Sequence, residues 1–435
     1  MKNIIATSWL LCALVAVGAL AQEPAFKGQG PIKGTVDTSS RPTDRQAKGV
    51  FPFDADGVYF SNEFDGARLN QIERTGPNAY TISITPENAP INMSPWYAFQ
   101  VWSAAPAEIA VKLVYPEGAR HRYTPQLSGD GLRWTPLDAG RIVEQGKAAL
   151  ADGAMVRPQS IVMKLQVDAK PLWIAGQELQ TSKHVFAWMD QLARAHALRV
   201  DEIGKSTGGR PLKLLTIGDP AGKQSMLVIS RQHPPEVTGY FAMQSFVETL
   251  AADTPLARRF RKDWTIYVVP LMNPDGVDGG HWRHNVGGID LNRDWADFHQ
   301  PETRAVRDFL ARRTAGTAGS GGGTNGTKFY FGIDFHSTWD DIYYTLDDKF
   351  AGNMPGLVPQ WLARVQQAIP HYKPLVQSSD KIEPTYVSRN FFMKAHGMEA
   401  IVFEIGDNSA REQIREKGRV GATELMTLML ARSPP

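Results

Sequence analysis

The sequence predicts an all-β sandwich domain followed by an α/β domain whose mixed sheet is flanked by helices. Three observations predict this. Between residues 49 and 178, short runs alternating apolar with polar side chains are separated by Gly, Pro and Asp, the period-two signature of half-buried strands. From 180 to 432, apolar strand-like runs alternate with segments of helical periodicity, as in a buried sheet covered by helices. The chain has 435 residues, 42% hydrophobic and 21% charged, a globular balance long enough for two domains.

In order along the chain, residues 1–21 read as a removable leader. Lys2 precedes the apolar run "IIATSWLLCALVAVGALA", and Ala19-Leu20-Ala21 supplies a small-x-small cleavage site before Gln22. A periplasmic or secreted location is expected, with no stable membrane partner once the leader is gone. A retained anchor is the alternative, because the run nearly reaches bilayer-spanning length. The only cysteine, Cys12, lies in this segment, and Leu11 before it argues against lipoprotein cleavage. The mature chain would then offer no thiolate to a metal or a substrate. A net charge of +2 implies no nucleic-acid partner. Residues 22–48, rich in Gly, Pro, Thr and Lys, read as an extended lead-in.

In 49–178 the expected strands are "GVYFSNEF", "AYTISITP", "WYAFQVWSA", "EIAVKLVYP", "RHRYTPQL" and "MVRPQSIVMKLQV". No His, Asp or Glu clusters there, so this domain is assigned no chemistry. "TSKHVFAWMDQLARAHAL" then opens the second domain as a helix with Thr or Ser as its cap. Its strands are "LKLLTIG", "SMLVIS", "WTIYVVPLM", "KFYFGIDF" and "AIVFEIG", and its helices include 237–251, 302–313, 357–368 and 410–431. The Gly-rich segment 314–327 reads as a surface loop.

Sites of open α/β sheets form where strands end at their carboxyl edge. "SMLVIS" is followed by His233 and Glu236, separated by two prolines; "KFYFGID" is followed by Phe335-His336-Ser337; "AIVFE" ends at Glu404. Hydrolytic zinc typically takes three protein ligands and leaves a fourth position open. His233, Glu236 and His336 supply such a set, and Glu404 suits the carboxylate that moves the proton. The segment "HWRHNVGGIDLNRDW" adds Arg283, Asn292 and Arg293, able to neutralise an oxyanion and to grip a carboxylate. The alternative there is a surface Arg pair bound to Asp294 and Asp297. Asp334 is a candidate to orient His336 or His233, and Asp407 and Asn408 read as turn residues.

"HPPE", "NPDG", "WRHNVGGIDLNRDW", "FHS" and "VFE", in this order, resemble the M14 zinc metallocarboxypeptidases over roughly 180–430. The preceding segment, with "FSNEFDGARLNQIERTGPNAYTISI" and "WYAFQVW", is similar to the amino-terminal domain of the cytosolic carboxypeptidase subfamily. A secreted bacterial branch beside that subfamily is the expected placement, since "DFHSTW" and the residues after Glu404 depart from its pattern. The resemblance implies one zinc ion per chain on His233, Glu236 and His336, and peptide or protein carboxyl termini as substrate. It implies Arg283 as oxyanion stabiliser, Asn292 and Arg293 as holders of the terminal carboxylate, and Glu404 as general base and then acid. Tyr386 is the candidate for the tyrosine that caps the substrate. Arg389, fifteen residues before Glu404, falls where the family reads the terminal side chain, so acidic ends are expected to be preferred. The rival readings are a peptidase of cell-wall γ-glutamyl or diaminopimelate linkages, a zinc amidohydrolase that deacylates amino acids, and an inactive peptide-binding protein.

Overall fold

The computed structural model describes residues 43–149, 156–315, 326–383 and 385–432. The leader at 1–21, most of the 22–48 lead-in and most of the 314–327 loop lie outside the described residues. Among the described residues no helix is long and apolar enough to cross a membrane.

The amino-terminal strands are β1 (Val50–Phe53), β2 (Val58–Ser61), β3 (Gln71–Gly76), β4 (Ala79–Ser83), β5 (Ala98–Ser103), β6 (Ala107–Val114), β7 (Gln126–Ser128), β8 (Thr135–Pro136), β9 (Ile142–Ala149), β10 (Val156–Val167) and β11 (Leu172–Ala175). They form two sheets, ordered β1-β2-β5-β11-β7-β8 and β3-β4-β6-β10-β9. Alternation explains how these sheets close on each other. In the β6–β10 pair, Ile109, Val111 and Leu113 stand opposite Leu165, Met163 and Ile161. All six are buried in one cluster with Phe60, Phe99 and Ile174 of the facing sheet, while the intervening polar residues face out.

"RHRYTPQL" departs from its expected strand. Only Gln126–Ser128 pairs, because His121, Arg122 and Tyr123 are buried as an irregular segment and Arg122 turns into the second domain.

That domain runs α1 (Ser182–His196), β12 (Arg199–Lys205), β13 (Pro211–Ile217), β14 (Gln224–Ser230), α2 (Val237–Ala251), α3 (Pro255–Asp263), β15 (Trp264–Val269), α4 (Pro274–Gly279), α5 (Pro301–Thr314), β16 (Lys328–Thr338), β17 (Ile342–Leu346), α6 (Leu357–Ala368), β18 (Leu375–Ser379), α7 (Ser388–His396), β19 (Glu399–Gly406) and α8 (Arg411–Arg432). One eight-stranded mixed sheet has the order β12-β13-β15-β14-β16-β19-β17-β18. Its central four strands, β15, β14, β16 and β19, run parallel. They carry the continuous apolar runs of strands covered on both faces. The pattern reading misses β12, β17 and β18. β12 and β18 are the sheet's edges, and β18 is almost wholly exposed, so neither has an apolar face to reveal it. Helices α2 and α8 pack so closely that a Cβ on Gly418 would lie 2.3 Å from the Ala242 carbonyl oxygen.

The two domains share one seam. Trp282, from the loop after α4, is fully buried in the sandwich cluster, where its Nε1 donates to the Trp96 carbonyl at 3.2 Å. In return, Arg122 of the sandwich donates to Asp407 at 2.7 Å and to the Ser337 carbonyl at 3.0 Å.

Candidate active site

Three strand ends, those of β14, β16 and β19, and the loop after α4 build the site. The chain leaves β14 through Arg231, whose φ of +57° belongs to the left-handed region that a non-Gly residue seldom adopts. This turn and the two prolines carry His233 and Glu236 to the mouth of α2. On β16, His336 stands in register with Glu404 of β19, and paired residues of adjacent strands project to the same face. Helix α2 reaches His336 because residue 239 is Gly: a Cβ there would lie 2.2 Å from the His336 carbonyl oxygen. The Gly239 amide instead donates to Ser337 Oγ at 2.8 Å.

His233 Nδ1 and His336 Nδ1 lie 3.1 Å apart. Each faces one oxygen of Glu236, at 2.8 and 2.7 Å. Their Nε2 atoms face other carboxylates: Asp290 at 2.8 Å from His233, and Asp334 at 2.9 Å from His336. Carboxylates there hold the ring protons on Nε2. Both Nδ1 lone pairs and the Glu236 oxygens then converge as acceptors, an arrangement that repels itself unless a cation sits among them. Their ligand atoms all fall within 4.8 Å of one another, and two nitrogens with one carboxylate is a donor set that zinc takes. The residues therefore fit the metal.

The electrostatics follow from this crowding. Burial pushes the Glu236 carboxyl up, but the positive charge that the imidazoles of His233 and His336 bring when protonated, the charge a metal ion would otherwise supply there, outweighs it and holds it well below the usual carboxylate range. Burial likewise opposes Asp290, and Arg283 and His233 hold its carboxyl low. Glu404 goes the other way. Burial, and then the Glu236 carboxylate, push it up to about 7 against the pull of His336, His233 and Arg283. Its Oε2 is buried and has no hydrogen-bond partner among the described residues.

A cleft of about 560 Å³ opens over these groups, lined by His233, Glu236, Arg283, Asn292, Arg293 and Glu404. Asn292 is fixed by its Oδ1, which accepts from the Ser388 amide at 2.9 Å. Arg283 Nε donates to Asp290 at 2.6 Å, so the alternative pairing with Asp294 and Asp297 does not form for it; Asp294 instead accepts from the His299 and Gln300 amides. Cations and an amide beside a buried carboxyl can hold an anionic substrate end and stabilise negative charge as it develops.

Residues 185–360 match the family model for zinc carboxypeptidases. That segment is similar to the M14 zinc carboxypeptidase family. Similar curated proteins include cytosolic carboxypeptidase 6 of Mus musculus, 31% identical over 147 residues, which are 32% of this chain and 26% of that one. An uncharacterised protein of Zymomonas mobilis is 27% identical over 262 residues, 57% of this chain and 62% of that protein. The match thus spans less than two thirds of these curated relatives. Solved structures share the fold over more of the chain. A metallo-carboxypeptidase from Burkholderia cenocepacia matches with a TM-score of 0.65 at 19% identity, over 86% of this chain and 98% of that one. One from Pseudomonas aeruginosa, in complex with (2-guanidinoethylmercapto)succinic acid, matches at 0.63 and 20% identity, over 85% and 98%. M14 proteins bind zinc, and His233, Glu236 and His336 are the set this chain offers to it.

Arg389 also lines the cleft. Burial lowers its guanidinium to about 10, and it donates to the Thr345 carbonyl at 2.9 Å. Tyr386 is placed differently from the other candidates: its ring lies 5.9 Å from the Arg293 guanidinium, and it is not among the cleft-lining residues, whereas Tyr344 of β17 is. Asp334, read from the sequence as a candidate for either imidazole, faces His336 at 2.9 Å and also accepts from Gln232 Nε2 and Ser388 Oγ. Asp290 escaped that reading, although a lone carboxylate between Ile289 and Leu291 was a signal that could have found it. Asp407 is no simple turn residue, since it is buried against Arg122. The sandwich wall of the cleft, including Ser94, Arg120 and Arg122, had no sequence signal.

Proposed function

We propose that this protein is a zinc-dependent metallocarboxypeptidase that hydrolyses the last peptide bond of peptides or proteins. The observation that carries the reading is one cleft that joins the His/Glu ligand set, the Arg283/Asn292/Arg293 cluster and a carboxyl with a free buried oxygen. Asn292 and Arg293 hold the substrate's terminal carboxylate, which admits only a chain end. His233, Glu236 and His336 would hold the zinc, which would supply a Lewis acid for the scissile carbonyl and lower the pKa of water. Glu404 Oε2 takes the proton from the attacking water and passes it to the leaving amine. Arg283, braced by Asp290, faces the negative charge on the carbonyl oxygen.

A preference for acidic ends is part of the proposal. Arg389 is a largely buried cation lining the cleft. Its guanidinium donates to the Thr345 carbonyl and to Asn390 Oδ1, both neutral acceptors. A substrate carboxylate would restore what burial takes from it. Export through residues 1–21 completes the reading; an amino terminus of the native protein that starts at Met1 rather than Gln22 would remove that part. An exported enzyme would meet cell-wall peptides, so γ-glutamyl and diaminopimelate ends belong in the test set.

The test is incubation of zinc-loaded protein with a mixed peptide library, with products read by mass. Stepwise loss of single residues from carboxyl ends is expected, fastest for Glu and Asp. Internal cleavage, amino-end trimming or deacylation alone would overturn the reading. Equal or faster release of Phe or Lys would remove only the acidic preference.

A further inference from the structure

Glu87 belongs to the sandwich, in the loop after β4, yet its carboxylate is spent on the other domain. It accepts three consecutive backbone amides: Trp282 on Oε2 at 2.7 Å, and Arg283 and His284 on Oε1 at 2.9 and 2.6 Å. The side chain is fully buried. Successive amides wrapped around one carboxylate form an anion nest, and this one is charged at neutral pH. Burial pushes the carboxyl up, but His281, His284, Arg68 and the amide bonds bring it down to about 2.

The amides so fixed flank the Arg283 side chain. On one side the Trp282 indole is locked in the sandwich core. On the other, His284 Nδ1 meets Asn88 Oδ1, and the His284 carbonyl bonds His281 Nδ1 at 3.0 Å. Arg283 then reaches Asp290 at 2.6 Å, and Asp290 reaches His233 at 2.8 Å. One continuous chain of hydrogen bonds thus runs from a sandwich carboxylate, through the backbone of 282–284, to a zinc ligand.

We propose that Glu87 is a positioning residue of the catalytic machinery, by which the sandwich domain sets the aim of the Arg283 guanidinium. The inference rests on the reading of Arg283 as the group that stabilises the oxyanion. It gives the sandwich a part in the reaction: without the Glu87 carboxylate, the catalytic domain has no other described group to hold these three amides. Misplacing a catalytic group by about 1 Å can cost on the order of 10²-fold in rate, and an interaction made only in the transition state appears in kcat, not KM.

The experiment is a double-mutant cycle on the library peptide that the wild-type protein cleaves fastest. Glu87→Gln keeps the shape but removes the charge and replaces one accepting oxygen with a donor. Alone it should lower kcat by about 10- to 100-fold, with KM within about threefold and zinc content unchanged. Arg283→Ala alone should lower kcat by about 10²- to 10³-fold. In the Arg283→Ala background, Glu87→Gln should then cost less than about threefold, because nothing is left to aim. The same loss in both backgrounds would show a tie between domains that leaves Arg283 alone, and would overturn the proposal. If Arg283→Ala leaves kcat unchanged, the oxyanion reading fails and takes this one with it, an outcome distinct from an additive cycle. Near-ultraviolet circular dichroism reports whether Glu87→Gln folds; if it does not, the same cycle is read with Glu87→Asp, which keeps the charge but shortens its reach.

Discussion

Replacing Arg122 with Met tests how the domains hold each other, and the structure supplies the magnitude. The Arg122 guanidinium makes bonds of 2.7 and 3.3 Å to Asp407, 2.9 Å to Ser94 Oγ and 3.0 Å to the Ser337 carbonyl. Only 6% of the Arg122 side chain and 1% of that of Asp407 are exposed. Removing one partner of such a buried pair costs about 3–5 kcal/mol, chiefly because the other charge is left behind. Asp407 adds a pH signature. Burial raises its carboxyl from an ordinary 3.8 to about 6, even with Arg122 pulling it down. An acid raised on folding contributes stability that is complete below 3.8 and is lost as pH rises through the folded value. Over that window the wild type loses about 3 kcal/mol through this group. Without Arg122 the folded value climbs further, so the variant goes on losing stability where the wild type has levelled off. Its penalty should be largest near pH 8. Toward pH 5, where Asp407 is mostly protonated in both proteins, it should shrink to the lost bonds to Ser94 and Ser337, about 1–2 kcal/mol. Urea denaturation followed by tryptophan fluorescence at the two pH values measures it. A penalty equal at both, or larger at pH 5, would refute the reasoning that Asp407 is the stranded charge.

Glu404→Gln should lower kcat by about 10²- to 10⁴-fold while zinc, measured by atomic emission, stays near one per chain; retained turnover would move the base elsewhere. Asp290→Asn should weaken zinc by about 10- to 100-fold in chelator competition, since it frees the His233 ring, and unchanged affinity would deny Asp290 that role. Arg389→Met should lower kcat/KM for peptides ending in Glu by about 10- to 100-fold while sparing those ending in Phe; a uniform loss would mean a packing defect. Gly239→Ala should lower the melting temperature and the zinc content together, because its Cβ meets the His336 carbonyl; a fully loaded, stable variant would contradict that close approach.

Much of this site was legible in the order of residues because catalysis places rare residue types at strand ends. His233, Glu236, His336 and Glu404 each follow an apolar run that no turn interrupts, so their position at one sheet edge follows from the pattern and the parallel connections. The central strands were legible for the same reason. β12 and β18 were not, since an edge strand is held by backbone hydrogen bonds that leave no mark in side-chain polarity. Spacing from Glu404 along the chain singled out Tyr386, which lies beside Arg293, but gave no sign of Tyr344, which lines the cleft from a strand outside the motifs.

The sequence alone determined which groups can carry the chemistry and which layers bury them, because residue type and periodicity are local properties of the chain. Only the tertiary structure decided how those groups are held. Asp290 on His233, Asp334 on His336, Arg122 on Asp407 and Glu87 on the amides before Arg283 are contacts between residues 2 to 285 positions removed from the groups they serve or from each other. Such partners are chosen by three-dimensional closeness and by the cost of leaving a buried charge unpaired, and neither quantity can be read from the order of residues.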